Sequence, residues 1–196
     1  MTKIYTGASM SLDGYIAGPE DTGFEHLFKW YGNGDVETEM GGMPLKMTEA
    51  STRHVTENLE WTGALIVGRK LFDTMNAWGG KHPMGIPVVV VSHSVPEGWE
   101  REGEWFTFAD SIEAAVAKAS ELASGKVVGV NGGTMASQCL DAGLLDEVWV
   151  DLVPVILGAG TPYFSSLGAA PHVLEGPISV TEGLDVTHVR YRVRRD

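Results

Sequence analysis

The sequence predicts an α/β fold with a mostly parallel central sheet and an antiparallel C-terminal hairpin. Three observations predict it. The apolar runs Ala64-Leu-Ile-Val67, Val88-Val-Val-Val91 and Val127-Val-Gly-Val130 are short and unbroken, as in strands covered on both faces. Segments of helical length separate them. Residues 172–181 and 185–194 alternate polar and apolar around Glu182-Gly183, the pattern of a hairpin.

Taken in order, residues 3–17 read as a strand running into a loop closed by Asp13-Gly14 and Gly18-Pro19. Residues 20–47 hold an aromatic stretch (Phe24, Phe28, Trp30, Tyr31) and then Gly32, Gly34, Gly41 and Gly42, read as a short helix and a long loop. Residues 48–60 lack Gly and Pro and suit a helix. A strand over 63–67 stops at Gly68, and 70–77 can form a helix. After the strand at 88–91, residues 104–108 form another. Asp110-Ser-Ile-Glu113 has capping-box spacing and opens a helix to about residue 123. A strand over 126–130 precedes a helix over 133–142 that Gly143 stops. Residues 147–157 make a long apolar strand. No repeat, charge block or linker interrupts the chain, so residues 1–196 read as one domain.

Composition narrows the function. The chain has 196 residues, 43% hydrophobic, enough to bury a sizeable core. A formal charge of −12 disfavours nucleic-acid or anionic-membrane partners. It leaves room for an anionic small molecule held by local cations and helix N-termini. The single cysteine, Cys139, cannot form an internal disulfide, which suits a reducing compartment. No signal-like N-terminal segment or apolar run of membrane length is present, so the expected location is the cytoplasm.

Several motifs are absent. No strand is followed by G-x-G-x-x-G, and neither a Walker phosphate loop nor a G-x-S-x-G elbow occurs. The six histidines show no metal-ligand spacing, so no metal site is expected.

Four segments carry chemistry. Val130-Asn131-Gly132-Gly133-Thr134-Met135 is a strand feeding a double glycine at a helix start. Such a turn lets an anion approach the backbone N–H groups, or serves as a tight turn with no ligand. Gly68-Arg69-Lys70 puts two cations at a strand's C-terminal end, where Arg suits a ribose 2′-phosphate and solvated charge is the alternative. Ser92-His93-Ser94 follows the β-branched run and offers hydrogen bonds to a phosphate or an adenosine, or forms a plain polar turn. In Ser11-Leu12-Asp13-Gly14-Tyr15-Ile16-Ala17, Asp13 is a functional carboxylate or the residue that sets the Asp-Gly turn.

In this order the four segments, with Leu144-Leu-Asp-Glu147 and Pro154-Val-Ile-Leu-Gly-Ala-Gly-Thr-Pro-Tyr-Phe164, resemble the dihydrofolate reductase superfamily. The specific likeness is to the branch of the reductase domain of bifunctional riboflavin-biosynthesis enzymes, and it covers nearly the whole chain. It implies a dihydrofolate-reductase-like three-layer fold and NADPH lying across the C-terminal edge of the sheet. The implied cofactor residues are Ala8, Gly68, Arg69, Lys70, Ser92, His93, Asn131, Gly132, Gly133, Thr134 and Met135. The implied strain at the Gly132–Gly133 peptide includes a cis form.

The resemblance further implies hydride transfer to a C=N or C=O group of a small heterocyclic or sugar-like substrate, pterin- or pyrimidine-like. Asp13 and Tyr15 are its candidates for orienting substrate or supplying a proton; the aromatic segment from Phe24 to Tyr31 forms a substrate wall or, as is more common for such a stripe, packs in the core. A homodimer is expected. The chain departs from the branch at Tyr15, where Lys is usual, and carries no fused deaminase zinc motif. No acidic residue aligns clearly with the one that dihydrofolate reductases place on the helix after their first loop. A non-catalytic nucleotide- or ligand-binding module on the same fold is the alternative.

Overall fold

The chain enters the sheet as β1 (Ile4–Ser11), turns at residues 12–14 and continues into the short β2 (Tyr15–Ala17). A computed structural model describes residues 2–97, 99 and 105–194. After β2 come the one-turn α1 (Phe24–Leu27), β3 (Val36–Met40), β4 (Met43–Met47), α2 (Glu49–Trp61), β5 (Thr62–Gly68) and α3 (Arg69–Thr74). The second half runs β6 (Val88–Val91), β7 (Phe106–Ala109), α4 (Ile112–Leu122), β8 (Val127–Val130), α5 (Thr134–Asp141) and β9 (Glu147–Val153). It ends with β10 (Thr161–Pro162), β11 (Leu174–Gly183) and β12 (Val186–Val193).

The main sheet has the order β11-β12-β9-β1-β8-β5-β6-β7. Strands from β9 to β7 pair in parallel, whereas β12 is antiparallel to both β9 and β11. This is the predicted parallel sheet with an antiparallel C-terminal hairpin.

Strand alternation explains the layers. Ala64, Ile66, Val89, Val128 and Val130 face α4 and α5, meeting Ala115, Ala119, Cys139 and Leu140. The intervening Val67, Val88 and Val90 face the opposite side, against Phe72 of α3. Each such side chain, fully buried, contributes about 1.5–3 kcal/mol. On this second face, Trp30, Met47, Val55, Val153 and Val186 pack a separate cluster beneath α2. Among the described residues no helix is long and apolar enough to cross a membrane.

Five local expectations are corrected. The long loop over 20–47 contains the β3–β4 hairpin, closed at Gly41 (φ 58°) and Gly42 (φ 82°), both left-handed as a tight hairpin turn requires. Its strands are rich in Glu and Lys, which hid it. The helix after Gly68 stops at Thr74, because Asn76, Ala77 and Trp78 take positive φ. Helix α4 is capped by Ser111, whose side chain accepts from the Ala114 N–H, and not by Asp110. Strand β9 ends at Val153 because Pro154 has no N–H for the ladder. The C-terminal turn lies at Leu184-Asp185, with Asp185 at φ 57°, since Gly183 still pairs with Val186. Strand β7 matches the expected strand at 104–108, although Glu104 lies outside the described residues.

Candidate functional site

The glycine turn after β8 sits at the centre of the sheet's C-terminal edge. The Asn131 N–H donates to the Ile66 carbonyl (2.9 Å), and the Gly133 N–H to the Tyr163 carbonyl (2.8 Å). Gly133 has φ 73° and ψ −133°, a conformation that side-chain-bearing residues rarely adopt. Its carbonyl accepts from the Ser137 hydroxyl at 2.9 Å, fixing the entry into α5. Gly132 is pressed against β2: a Cβ there would lie 2.8 Å from Ile16 Cδ1 and 3.8 Å from Ala8 Cβ. The expectation of a cis form is corrected. The strain lies in the dihedrals of Gly133, and the cis bonds among the described residues precede Pro171 and Pro177.

On the next strand Arg69 follows β5, and one strand further Ser92 follows β6. Arg69 Nη1 donates to Ser92 Oγ and to the Ser94 carbonyl, each at 3.3 Å, while Nε is held by both Asp73 oxygens at 2.8 Å. The Asp73 pair orients the guanidinium, and Nη2 has no hydrogen bond among the described residues. Arg69, Ser92, His93 and Met135 line an open cleft of about 850 Å³, together with Ser111 and Gln138 at α4 and α5. Gly68 borders Met135, whose Cγ would lie 3.5 Å from an added Cβ. Thr134 is exposed at the helix start, 3.5 Å from Ser165 Oγ through its own hydroxyl. Lys70 goes elsewhere: its ammonium pairs with Asp21 at 3.0 Å, beside the loop after β2.

Asp13 is fully engaged. Its Oδ1 accepts from the Ser11 hydroxyl (2.6 Å) and the Leu157 N–H (3.1 Å), and its Oδ2 from the Gly158 N–H (2.7 Å). The Ser11 hydrogen bond, reinforced by those backbone donors, holds its carboxyl below the usual carboxylate range. The side chain thus pins the β1–β2 turn to the loop after β9. Tyr15 is half-buried in β2, and its backbone N–H donates to Ser11 Oγ at 2.9 Å. The aromatic segment divides: Leu27 and Trp30 are buried in the core, whereas Phe24 and Phe28 stack on each other in the open.

A polar cluster beneath α2 escaped sequence reasoning. Asp151 of β9 lies in register with Ser9 of β1 and with His188 of β12. His188 Nδ1 is 2.7 Å from Asp151 Oδ1, and its Nε2 is 3.0 Å from Ser51 Oγ. His54 Nε2 lies 3.1 Å from the same Oδ1, and the Trp30 indole N–H donates to Ser9 Oγ at 3.1 Å. Histidines that lack metal spacing along the chain therefore meet in space. Their rings stack at 4.0 Å with planes 17° apart, and with Asp151 they bring three groups of metal-ligating type within 4.8 Å of one another. Burial pushes Asp151 up, but hydrogen bonds from His188 and His54 outweigh it and hold the carboxyl at about 2. The one available signal was a charged residue inside the apolar run Val148-Trp-Val-Asp-Leu-Val153.

The fold has known counterparts. A crystal structure from Shewanella sp. PV-4, ascribed to riboflavin biosynthesis, superposes with a TM-score of 0.71 at 22% identity, covering 99% of this chain and all of that one. The Thermotoga maritima diaminohydroxyphosphoribosylaminopyrimidine deaminase/5-amino-6-(5-phosphoribosylamino)uracil reductase gives 0.59 at 19% identity, over 98% of this chain and 57% of that one. Dihydrofolate reductase from Enterococcus faecalis, complexed with NADP(H), gives 0.54 at 12% identity, over 98% and 97%. No functionally curated protein sequence matches the chain. The sequence model of the RibD C-terminal domain matches residues 2–175, and the chain belongs to that family of oxidoreductase domains.

Proposed function

We propose that this protein is an NADPH-dependent reductase acting on a C=N or C=O group of a small heterocyclic or sugar-like compound, pterin- or pyrimidine-like in shape. The reading rests on Arg69 beside Ser92 at one end of an open cleft, at the ends of the two strands that follow β8 and its Gly132-Gly133 turn across the sheet. These residues fit the cofactor. Arg69 Nη2 is uncommitted among the described residues, and the main chain at the head of α5 carries no Cβ at Gly132 or Gly133.

Arg69, with Ser92 and His93, would hold the 2′-phosphate and adenosine end. Asn131, Gly132, Gly133, Thr134 and Met135 would hold the pyrophosphate at the helix N-terminus. Ala8 and Gly68 give close backbone approach, and Lys70 adds charge beside its Asp21 partner. Bound NADPH supplies the hydride and its electron pair. The chain's own part is to bind, orient and exclude water. Asp13 acts by holding the loop at Leu157-Gly158, and Tyr15 by orienting the substrate. The same reading expects a cytoplasmic homodimer, with neither nucleic-acid nor membrane partners, in keeping with the net charge of −12.

Titration of NADPH and NADH by tryptophan fluorescence tests the cofactor. A screen of NADPH oxidation against pterins, pyrimidine ribosides and quinonoid compounds tests the activity. Failure to bind NADPH refutes the proposal. Binding without consumption across the screen favours the non-catalytic module.

A further inference from the structure

Strand pairing assembles a side-chain cluster that no run of the sequence contains. Asp151 of β9 stands opposite His188 of β12, and His54 of α2 packs over the pair. Asp151 Oδ1 lies 2.7 Å from His188 Nδ1 and 3.1 Å from His54 Nε2. Ligand atoms at right angles around an ion with bonds of about 2.1 Å are about 3.0 Å apart. Both edges are close to that length. Among the described residues no other set of three His, Cys, Asp or Glu side chains converges in this way.

The donor set suits a borderline transition cation. Two imidazole nitrogens and one carboxylate oxygen favour zinc-like ions over Mg²⁺ and Ca²⁺, which take shells of oxygen. The surroundings orient His188 for this. Its Nε2 is 3.0 Å from Ser51 Oγ, and the Thr48 hydroxyl donates to the same oxygen at 3.2 Å. When Nδ1 gives its lone pair to an ion, Nε2 carries the ring proton and donates to Ser51, the outer contact that metal-bound imidazoles ordinarily make. Without an ion, Nδ1 keeps the proton for Asp151 and the Ser51 hydroxyl donates to Nε2. The hydroxyl serves both states. The rings are stacked with planes 17° apart, so His54 has to turn for both nitrogens to face one ion, and the broad torsion about its Cβ–Cγ bond permits that. The turn gives up the 3.0 Å contact between His54 Nε2 and the Asn58 amide. Arg190 opposes the cation, since its Nη2 stands 3.5 Å from His54 Nδ1 while donating to Asn58 Oδ1 at 2.8 Å. That charge limits the affinity.

We propose that His54, Asp151 and His188 form a binding site for one divalent transition-metal cation of the zinc class. Three protein donors leave at least one position on the ion for water or another oxygen ligand. The Asp151 side chain keeps 17% exposure, which gives the ion its way in. The donors come from α2, β9 and β12, so a bound ion ties the helix to both strands and stabilises the fold by mass action. The site needs no nucleotide, and it stands or falls apart from the reductase reading.

Isothermal titration of the full chain with Zn²⁺ and with Mg²⁺, after chelator treatment and dialysis and without NADPH, tests this. Wild type is expected to bind one Zn²⁺ near neutral pH with a Kd on the order of 1–10 µM, and not to bind Mg²⁺. Saturating Zn²⁺ should raise the melting temperature. Asp151→Asn and His54→Gln should each weaken Zn²⁺ binding at least about tenfold. His26→Gln, at an exposed histidine beside Glu25, should leave it unchanged. Where a cluster variant fails to fold by circular dichroism, Co²⁺ added to wild type and to His26→Gln decides. Visible bands stronger than those of the aquo ion, equal in the two proteins, support the site. A Co²⁺ spectrum no different from that of the aquo ion overturns it. So does Zn²⁺ affinity that survives in a folded cluster variant, or that disappears in His26→Gln.

Discussion

Arg69 Nη1 lies 3.3 Å from Ser92 Oγ, linking the residue after β5 to the residue after β6 at the mouth of the cleft. The contact is long and the guanidinium is also held by Asp73, so Arg69 is pre-oriented rather than consumed. Pre-orientation lowers the entropy lost when an anion binds.

Arg69→Ala should therefore weaken NADPH binding roughly 10- to 100-fold, the range for losing a charge-assisted contact. NADH affinity should change little. The exposed Arg69–Asp73 pair contributes little to folding, so the melting temperature should hardly move. Fluorescence titration with both cofactors checks this, and equal losses for the two would remove Arg69 from the 2′-phosphate site.

The glycine turn supplies a second test with an internal control. A Cβ at Gly133 meets nothing closer than 3.5 Å, so the obstacle is its φ of 73° and not space. Gly133→Val should cost about 1–3 kcal/mol of strain or distort the turn, abolishing NADPH binding. At Gly132 φ is ordinary and the crowding comes from the flexible tip of Ile16. Gly132→Ala should bind NADPH far better than Gly133→Val. Equal affinities would show that this turn does not hold the phosphates.

Legibility in the sequence followed burial. Strands β5, β6 and β8 are covered on both faces, so their apolar runs stand out, and the motifs at their ends lie together on the C-terminal edge of the sheet. The β3–β4 hairpin is half-exposed and charged, and only Gly41-Gly42 betrays it. The Ser51–His188–Asp151 chain was illegible for a different reason. Each member comes from a different element, and pairing across β9 and β12 creates the proximity. Asp13 was legible as important but ambiguous in role, because the backbone donors that occupy it come from the distant loop after β9.

The homodimer expectation can be tested at the sheet edge. Strand β11 has β12 on one side only, and it exposes Ile178 (43%) and Val180 (54%). Long apolar edges invite pairing, and a charge on the edge blocks it. Val180→Lys should convert a dimer to a monomer in sedimentation velocity with an unchanged circular dichroism spectrum. A monomeric wild type, or a variant that remains dimeric, removes β11 as the interface.

His82 should shape stability in mild acid. Burial lowers it from 6.5 to about 4, and its Nδ1 accepts from the Met84 N–H at 3.2 Å, which requires the neutral ring. The folded value lies below the unfolded one, so the unfolded chain takes up the proton first as pH falls. The contribution is present above about pH 6.5 and is lost as pH drops towards 4. Thermal melts across that window should show a decline that is shallower in His82→Gln. Parallel curves would exclude the contribution.

Asp13 distinguishes a structural carboxylate from a catalytic one. Both oxygens accept, and an asparagine keeps an acceptor on only one side, so Asp13→Asn turns an NH₂ either towards the Ser11 hydroxyl and the Leu157 N–H or towards the Gly158 N–H. The substitution should lower the melting temperature and speed hydrogen exchange at Leu157 and Gly158. Because the folded carboxyl is held below its usual range, its contribution is present above the unfolded value and lost as pH falls through the folded one. A group kept ionised in this way is a poor proton donor near neutrality. Any loss of turnover with a working substrate should therefore follow the loosened loop, leaving the shape of the pH–rate profile unchanged. Disappearance of one limb of that profile in Asp13→Asn, with loop exchange unaltered, would assign Asp13 to proton transfer instead.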